Sequence, residues 1–197
     1  CAVAGVRQAL TPVVNVVRDC RWGRTVETFG EDVLLNADMG VAICRGLQKN
    51  GVIATPKHFA DNYSYGGRDS NVSDTSERTM REVYLRPFEK CIKEGGAMSV
   101  MAAYNSWDGI PCTCNKYLLT DILRKEWGFD GFVVSDYGGC CFIVRIQTVK
   151  RGNIETACEL ARRTFNEIPQ NCQLFFLSGF PHFLRKTSTI SLRRECA

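Results

Sequence analysis

The chain is poor in the residues that announce a metal or redox centre. It has two histidines, His58 and His182, and none of its eleven cysteines falls in a CxxC pair. The Cys112 to Cys114 stretch and the adjacent Cys140 and Cys141 lack zinc-ligand spacing, so no metal and no organic cofactor is expected. An odd, high cysteine count without a framework spacing reads as free, mostly buried thiols, which leans towards a reducing compartment. No run reaches the roughly 20 apolar residues of a membrane span, and no signal-peptide pattern opens the chain. A membrane partner is therefore not expected. Because the chain opens on Cys1 rather than Met, the expectation is a segment of a longer protein.

Charge excludes a further class. The formal net charge is +4, and residues 140–197 hold nine of the 25 basic residues but only four of the 21 acidic ones. Those cations are scattered, without the basic and aromatic interleaving of a nucleic-acid groove, so no nucleic-acid partner is expected. Asn62 and Asn71 head Asn-x-Ser sequons, which matter only in a secreted eukaryotic protein.

What is present is an alternation. Residues 11–17 (TPVVNVV), 52–59 (VIATPKHF), 97–105 (AMSVMAAYN) and the stretch GFVVSD starting at 131 read as strands. Between them, residues 31–49, 76–96 and 115–128 carry helical spacing, with Asn50-Gly51 and Gly95-Gly96 as stops and Ser76 as an N-cap. Strand–helix–strand at this pitch implies parallel strands with helical crossovers, an α/β fold of partial (β/α)8 TIM-barrel type. In such a barrel the chemistry sits at the carboxyl ends of the strands. Four of those ends carry it here: Arg18, Lys57-His58, Tyr104-Asn105 and Asp136.

Asp136 poses the sharpest question, since a carboxylate at the end of a buried strand is costly to desolvate. Capping a following turn is the plain alternative. The surrounding motifs favour a chemical role. RDCRWGRTVETFGED (18–32), KHF (57–59), SERTMREVYLRPFE (76–89), SVMAAYN (99–105) and LLTDILRKEWGFDGFVVSDYGG (118–139) together resemble glycoside hydrolase family 3. The likeness is to the N-terminal barrel of its β-glucosidases and β-xylosidases, and it covers residues 1–139. Residues 140–197 read as a divergent basic tail.

The resemblance implies retaining hydrolysis of terminal β-linked glucosides or xylosides. It implies that Asp136 is the nucleophile and that Lys57, His58, Arg24 and Arg68 bind sugar hydroxyls. Met101 and Tyr104 would pack against the sugar and support the nucleophile, and Tyr137 would form an aromatic wall where many members have Trp. Lys57, Arg24 and Arg68 are expected to lower the pKa of Asp136. The expected partner is a β-linked oligosaccharide or glycoside, with the acid/base supplied by a second domain outside this chain. Glu27 and Glu31 read as a solvated loop and helix start, Arg21 as a loop ion pair, and Trp22 as packing. Two alternatives stay open: a non-catalytic carbohydrate-binding remnant, and an aldolase-like lyase using Lys57 as a Schiff base.

Overall fold

A computed structural model describes residues 1–63, 72–137 and 139. The expectations placed on Arg68, Asn71, Cys140, Cys141 and His182 lie outside those residues.

The helix expected over 31–49 forms as α1 (Val33–Lys49), with the Asp32 carboxylate accepting from Leu35 N at its start and Asn50 closing its end. The helix expected over 76–96 is composite. Ser76 caps α2 (Glu77–Thr79), a wider π turn follows over Met80–Tyr84, and α3 (Arg86–Lys93) completes it. Pro87 offers no N–H to the turn before it, and Leu85 N reaches back five residues to Met80 O (2.8 Å). The third expected helix is also π-wound, over Tyr117–Glu126.

The strands are shorter than their sequence pattern suggests. β1 (Gln8–Ala9) pairs in parallel with β2 (Ile53–Ala54). The TPVVNVV stretch is buried and extended but makes a single bridge, Val13 with Lys57. Pro12 and Pro56 explain both departures, since each removes a ladder donor and breaks the run around it. β3 (Lys57–Phe59), β5 (Ser99–Ala102) and β8 (Phe132–Ser135) form a parallel sheet in that order, with Lys57 opposite Met101 and Ala102 opposite Ser135. A small third sheet, β4 (Val72–Ser73), β6 (Ser106–Trp107) and β7 (Ile110–Pro111), was not expected. Its hairpin turns on Asp108 (φ 49) and Gly109 (φ 74), the Asp-Gly pair that favours such turns. That signal was readable in the sequence. Among the described residues the strands thus form three sheets and not one continuous ring.

Helices cover the parallel sheet on one side. Phe59 packs edge-on against Phe88 (5.1 Å) and Trp127 (5.8 Å), and Leu118, Leu119, Ile122 and Leu123 are fully buried beside them. α1 meets α3 where Gly40 leaves room for a neighbouring side chain: a Cβ there would lie 2.6 Å from Cys91 Sγ and 2.8 Å from Val14 Cγ1. Gly to Ala inside a helix normally stabilises by about 1 kcal/mol. Overpacking a filled core costs about 1–3 kcal/mol, so the clash should win. Gly40→Ala is expected to lower the melting temperature, and a thermal melt showing a rise would refute this packing.

Among the described residues Cys44, Cys91, Cys112 and Cys114 are buried, and Cys1 and Cys20 are exposed. Burial pushes the thiols of Cys112 and Cys114 up to about 12 and about 11, which keeps them protonated at neutral pH. Asn62, the first sequon residue, is buried and donates to Asn105 Oδ1 (3.2 Å). Its amide is therefore inaccessible to a glycosyl group.

Candidate active site

Lys57 and His58 lie in β3, Met101 in β5 directly opposite Lys57, and Asp136 follows β8 immediately. Tyr104 lies two residues beyond β5. Arg24 reaches the same place from a loop of two successive 3-10 turns, Cys20–Trp22 and Thr25–Glu27, separated by Gly23 at φ 85. A glycine suits that positive φ, and the reversal turns Arg24 back towards the sheet.

His58 is the hub. It is 1% exposed, and Asn15, 2% exposed, holds it through three contacts. Asn15 Nδ2 donates to His58 O (2.9 Å), which fixes Oδ1 as the end facing His58 N (2.8 Å) and Nδ1 (3.1 Å). Facing an acceptor, Nδ1 carries the proton. Nε2 is then an acceptor, and it meets Arg24 Nη1 at 2.9 Å, a group that can only donate. Asp136 Oδ2 lies 3.5 Å from the same Nε2, too long and in the wrong tautomer for a strong hydrogen bond. Asn15 was missed at the level of sequence. The available signal was a lone amide among four valines, since a polar group in a buried run needs partners.

The Asp136 carboxylate accepts from Tyr137 N (2.6 Å). Tyr104 hydroxyl donates to the Tyr137 carbonyl, pinning the segment that carries the carboxylate. Burial raises the pKa of Asp136, and the Tyr137 N–H, Arg24, Lys57 and the Tyr104 hydroxyl lower it without reversing that shift. The expected lowering is corrected here: desolvation outweighs the cations. Lys57 is shifted down, first by burial and then by Arg24, while Asp136 and Glu27 oppose the shift.

Met101 is buried and Tyr137 is 55% exposed. Trp22 packs with Val13, Val17 and Tyr63, as read. Arg21 pairs with Asp19 (2.5 Å), also as read. Arg18 is exposed. Glu27 is exposed, as read, and it also pairs with Arg24. Its carboxylate grips Arg24 Nε (2.8 Å) and Nη2 (2.7 Å).

An ionisable carboxylate, a lysine and an arginine thus converge at the ends of parallel strands around a tautomer-fixed imidazole. That combination suits a nucleophile beside a polyol. Residues 1–161 match the Glycosyl hydrolase family 3 N terminal domain. The chain belongs to glycosyl hydrolase family 3. It is 46% identical over 135 residues to a β-glucosidase of Rhizobium radiobacter, covering 68% of this chain and 16% of that protein. It is 48% identical over 143 residues to a β-xylosidase of Formosa agariphila, covering 67% of this chain and 20% of that protein. The chain therefore spans about a sixth to a fifth of the length of these curated relatives.

Among solved structures, a β-glucosidase from Listeria innocua in complex with isofagomine superposes with a TM-score of 0.75 at 34% identity, over 80% of this chain and 23% of that one. A β-glucosidase involved in saponin metabolism from intestinal bacteria gives 0.76 at 37% identity, over 81% and 22%. Its curated relatives are named β-glucosidases and β-xylosidases.

Proposed function

We propose that this family 3 segment carries the nucleophile and sugar-binding half of a retaining hydrolase for terminal β-linked glucosides or xylosides. Its sheets are then part of a (β/α)8 barrel. The observation that carries the reading is the placement of Asp136 at the exit of β8, 3.5 Å from His58 Nε2 and within the field of Arg24 and Lys57. A retaining enzyme needs a nucleophilic carboxylate below the ring and an acid above it, about 5–5.5 Å apart. Asp136 supplies the first, and it attacks the anomeric carbon as the glycosidic bond breaks. Lys57, His58, Arg24 and Arg68 bind hydroxyls, Met101 and Tyr104 support the site, and Tyr137 lines one wall. A second domain supplies the acid/base.

The test is covalent labelling. An activated 2-deoxy-2-fluoro-β-glucoside should label Asp136 in a polypeptide of the relatives' length that contains this segment. Digestion and mass mapping that place the label on Asp108 or Asp130 would overturn the assignment.

The chain's short span of its relatives supports a second reading, in which residues 1–197 alone bind sugar and turn it over poorly. Protonation of the leaving group contributes about 10²–10⁴-fold. Cellobiose should then be left intact while dinitrophenyl β-glucoside reacts. Brisk cellobiose hydrolysis by residues 1–197 would refute this and point to an acid within the chain. The lowered pKa of Lys57 is a property the lyase alternative also requires. Borohydride trapping of a carbonyl compound on Lys57 would support that chemistry instead.

A further inference from the structure

Arg24 and Glu27 begin and end a single 3-10 turn, with Glu27 N donating to Arg24 O (3.0 Å). Within that turn the Glu27 carboxylate occupies the Nε and Nη2 edge of the guanidinium, at 2.8 and 2.7 Å. A guanidinium is planar, so two bonds along one edge fix its whole plane. The Nη1 corner is thereby aimed at His58 Nε2, 2.9 Å away, and Asp136 Oδ2 lies 3.5 Å from the same Nε2. The charge arrangement agrees. Arg24 pushes the pKa of Lys57 down and Glu27 pushes it up, so Glu27 balances the second cation beside Lys57.

We propose that Glu27 is a positioning residue that acts through Arg24: it sets the guanidinium plane and offsets its charge, so that Arg24 and Lys57 can serve one glycoside together. The inference rests on the reading that Arg24 lines the sugar subsite. An ordinary surface ion pair would make a different claim, since such pairs are worth little and leave distant groups untouched. Glu27 has a side chain 40% exposed against 12% for Arg24, so its substitution disturbs little packing.

The experiment uses residues 1–197, with folding checked by circular dichroism. Glucose affinity is measured for the unsubstituted chain, Glu27→Gln, Arg24→Ala and the double variant. In parallel, nitrogen-15 NMR follows the Arg24 Nε–H and the ring nitrogens of His58. Glu27→Gln should weaken glucose binding about tenfold, the scale expected on losing a charge-assisted bidentate pair. Arg24→Ala should weaken it at least as much, and the double variant should be no worse than Arg24→Ala. The Arg24 Nε–H and His58 Nε2 signals should move in Glu27→Gln while the melting temperature holds.

Additive losses in the double variant would show that Glu27 acts by another route and would overturn the proposal. So would full glucose affinity in Glu27→Gln while Arg24→Ala is weakened; that result leaves the subsite reading standing. If Arg24→Ala binds glucose like the unsubstituted chain, or if the folded unsubstituted chain binds none, the subsite reading itself falls and the inference falls with it.

Discussion

Replacing Asp136 by Asn should abolish the release of dinitrophenolate from dinitrophenyl β-glucoside. The leaving group needs no proton, so the assay isolates nucleophilic attack from acid assistance. Asparagine keeps the shape and still accepts from Tyr137 N, which bonds Asp136 at 2.6 Å, but it is a far poorer nucleophile. Removing a nucleophile typically costs on the order of 10⁵-fold, about 7 kcal/mol of transition-state stabilisation.

The pH dependence carries its own sign. Asp136 must be ionised to attack, and burial raises its pKa above the ordinary carboxylate value of 3.8. Turnover should therefore fall as acidity increases, with the acid limb above that value. Arg24 and Lys57 both pull the pKa down, so Arg24→Ala should move the limb to still higher pH. A limb that moves lower would contradict the electrostatics described. An Asp136→Asn variant within tenfold of the parent would remove Asp136 from the mechanism.

Asp61→Asn should stabilise the protein at neutral pH and lose that advantage in acid. Asp61 is 1% exposed and accepts from the Ser73 hydroxyl. Desolvation pushes its carboxyl up to about 6 from 3.8, against the opposing hydrogen bonds of Ser73 and Thr75. The folded state thus holds the proton more tightly than the unfolded chain. This contribution is fully present below the unfolded value and is lost as pH rises through the folded one.

Above that window the buried charge costs about 3 kcal/mol relative to an unshifted carboxyl. Asparagine carries no charge and still offers an acceptor to Ser73. The gain at pH 7.5 should be about 1–3 kcal/mol, a rise of several degrees in melting temperature for a chain of this size. Near pH 4 the two proteins should melt together. A variant that is less stable than the parent at pH 7.5 would show that Asp61 is compensated by a partner.

The chain by itself determined what depends on neighbours in sequence. The apolar spacing of residues 33–49 and the Asp32 carboxylate specify α1, because side chains three and four apart share a face and a cap needs only the next turn. The strand and helix order, with Lys57, His58, Tyr104 and Asp136 after successive apolar runs, was legible for the same reason. The family motifs were legible too.

Tertiary structure alone decided what depends on residues far apart. Asn15 fixes the tautomer of His58 across 43 residues, and Arg24 meets it across 34; no local pattern encodes such a meeting. The direction of the Asp136 shift needed the depth of burial to be weighed against two nearby cations, and a sequence shows the charges but not the solvent they have lost. The hydrogen bonds that hold His58 are long-range, and only the folded backbone brings their ends together.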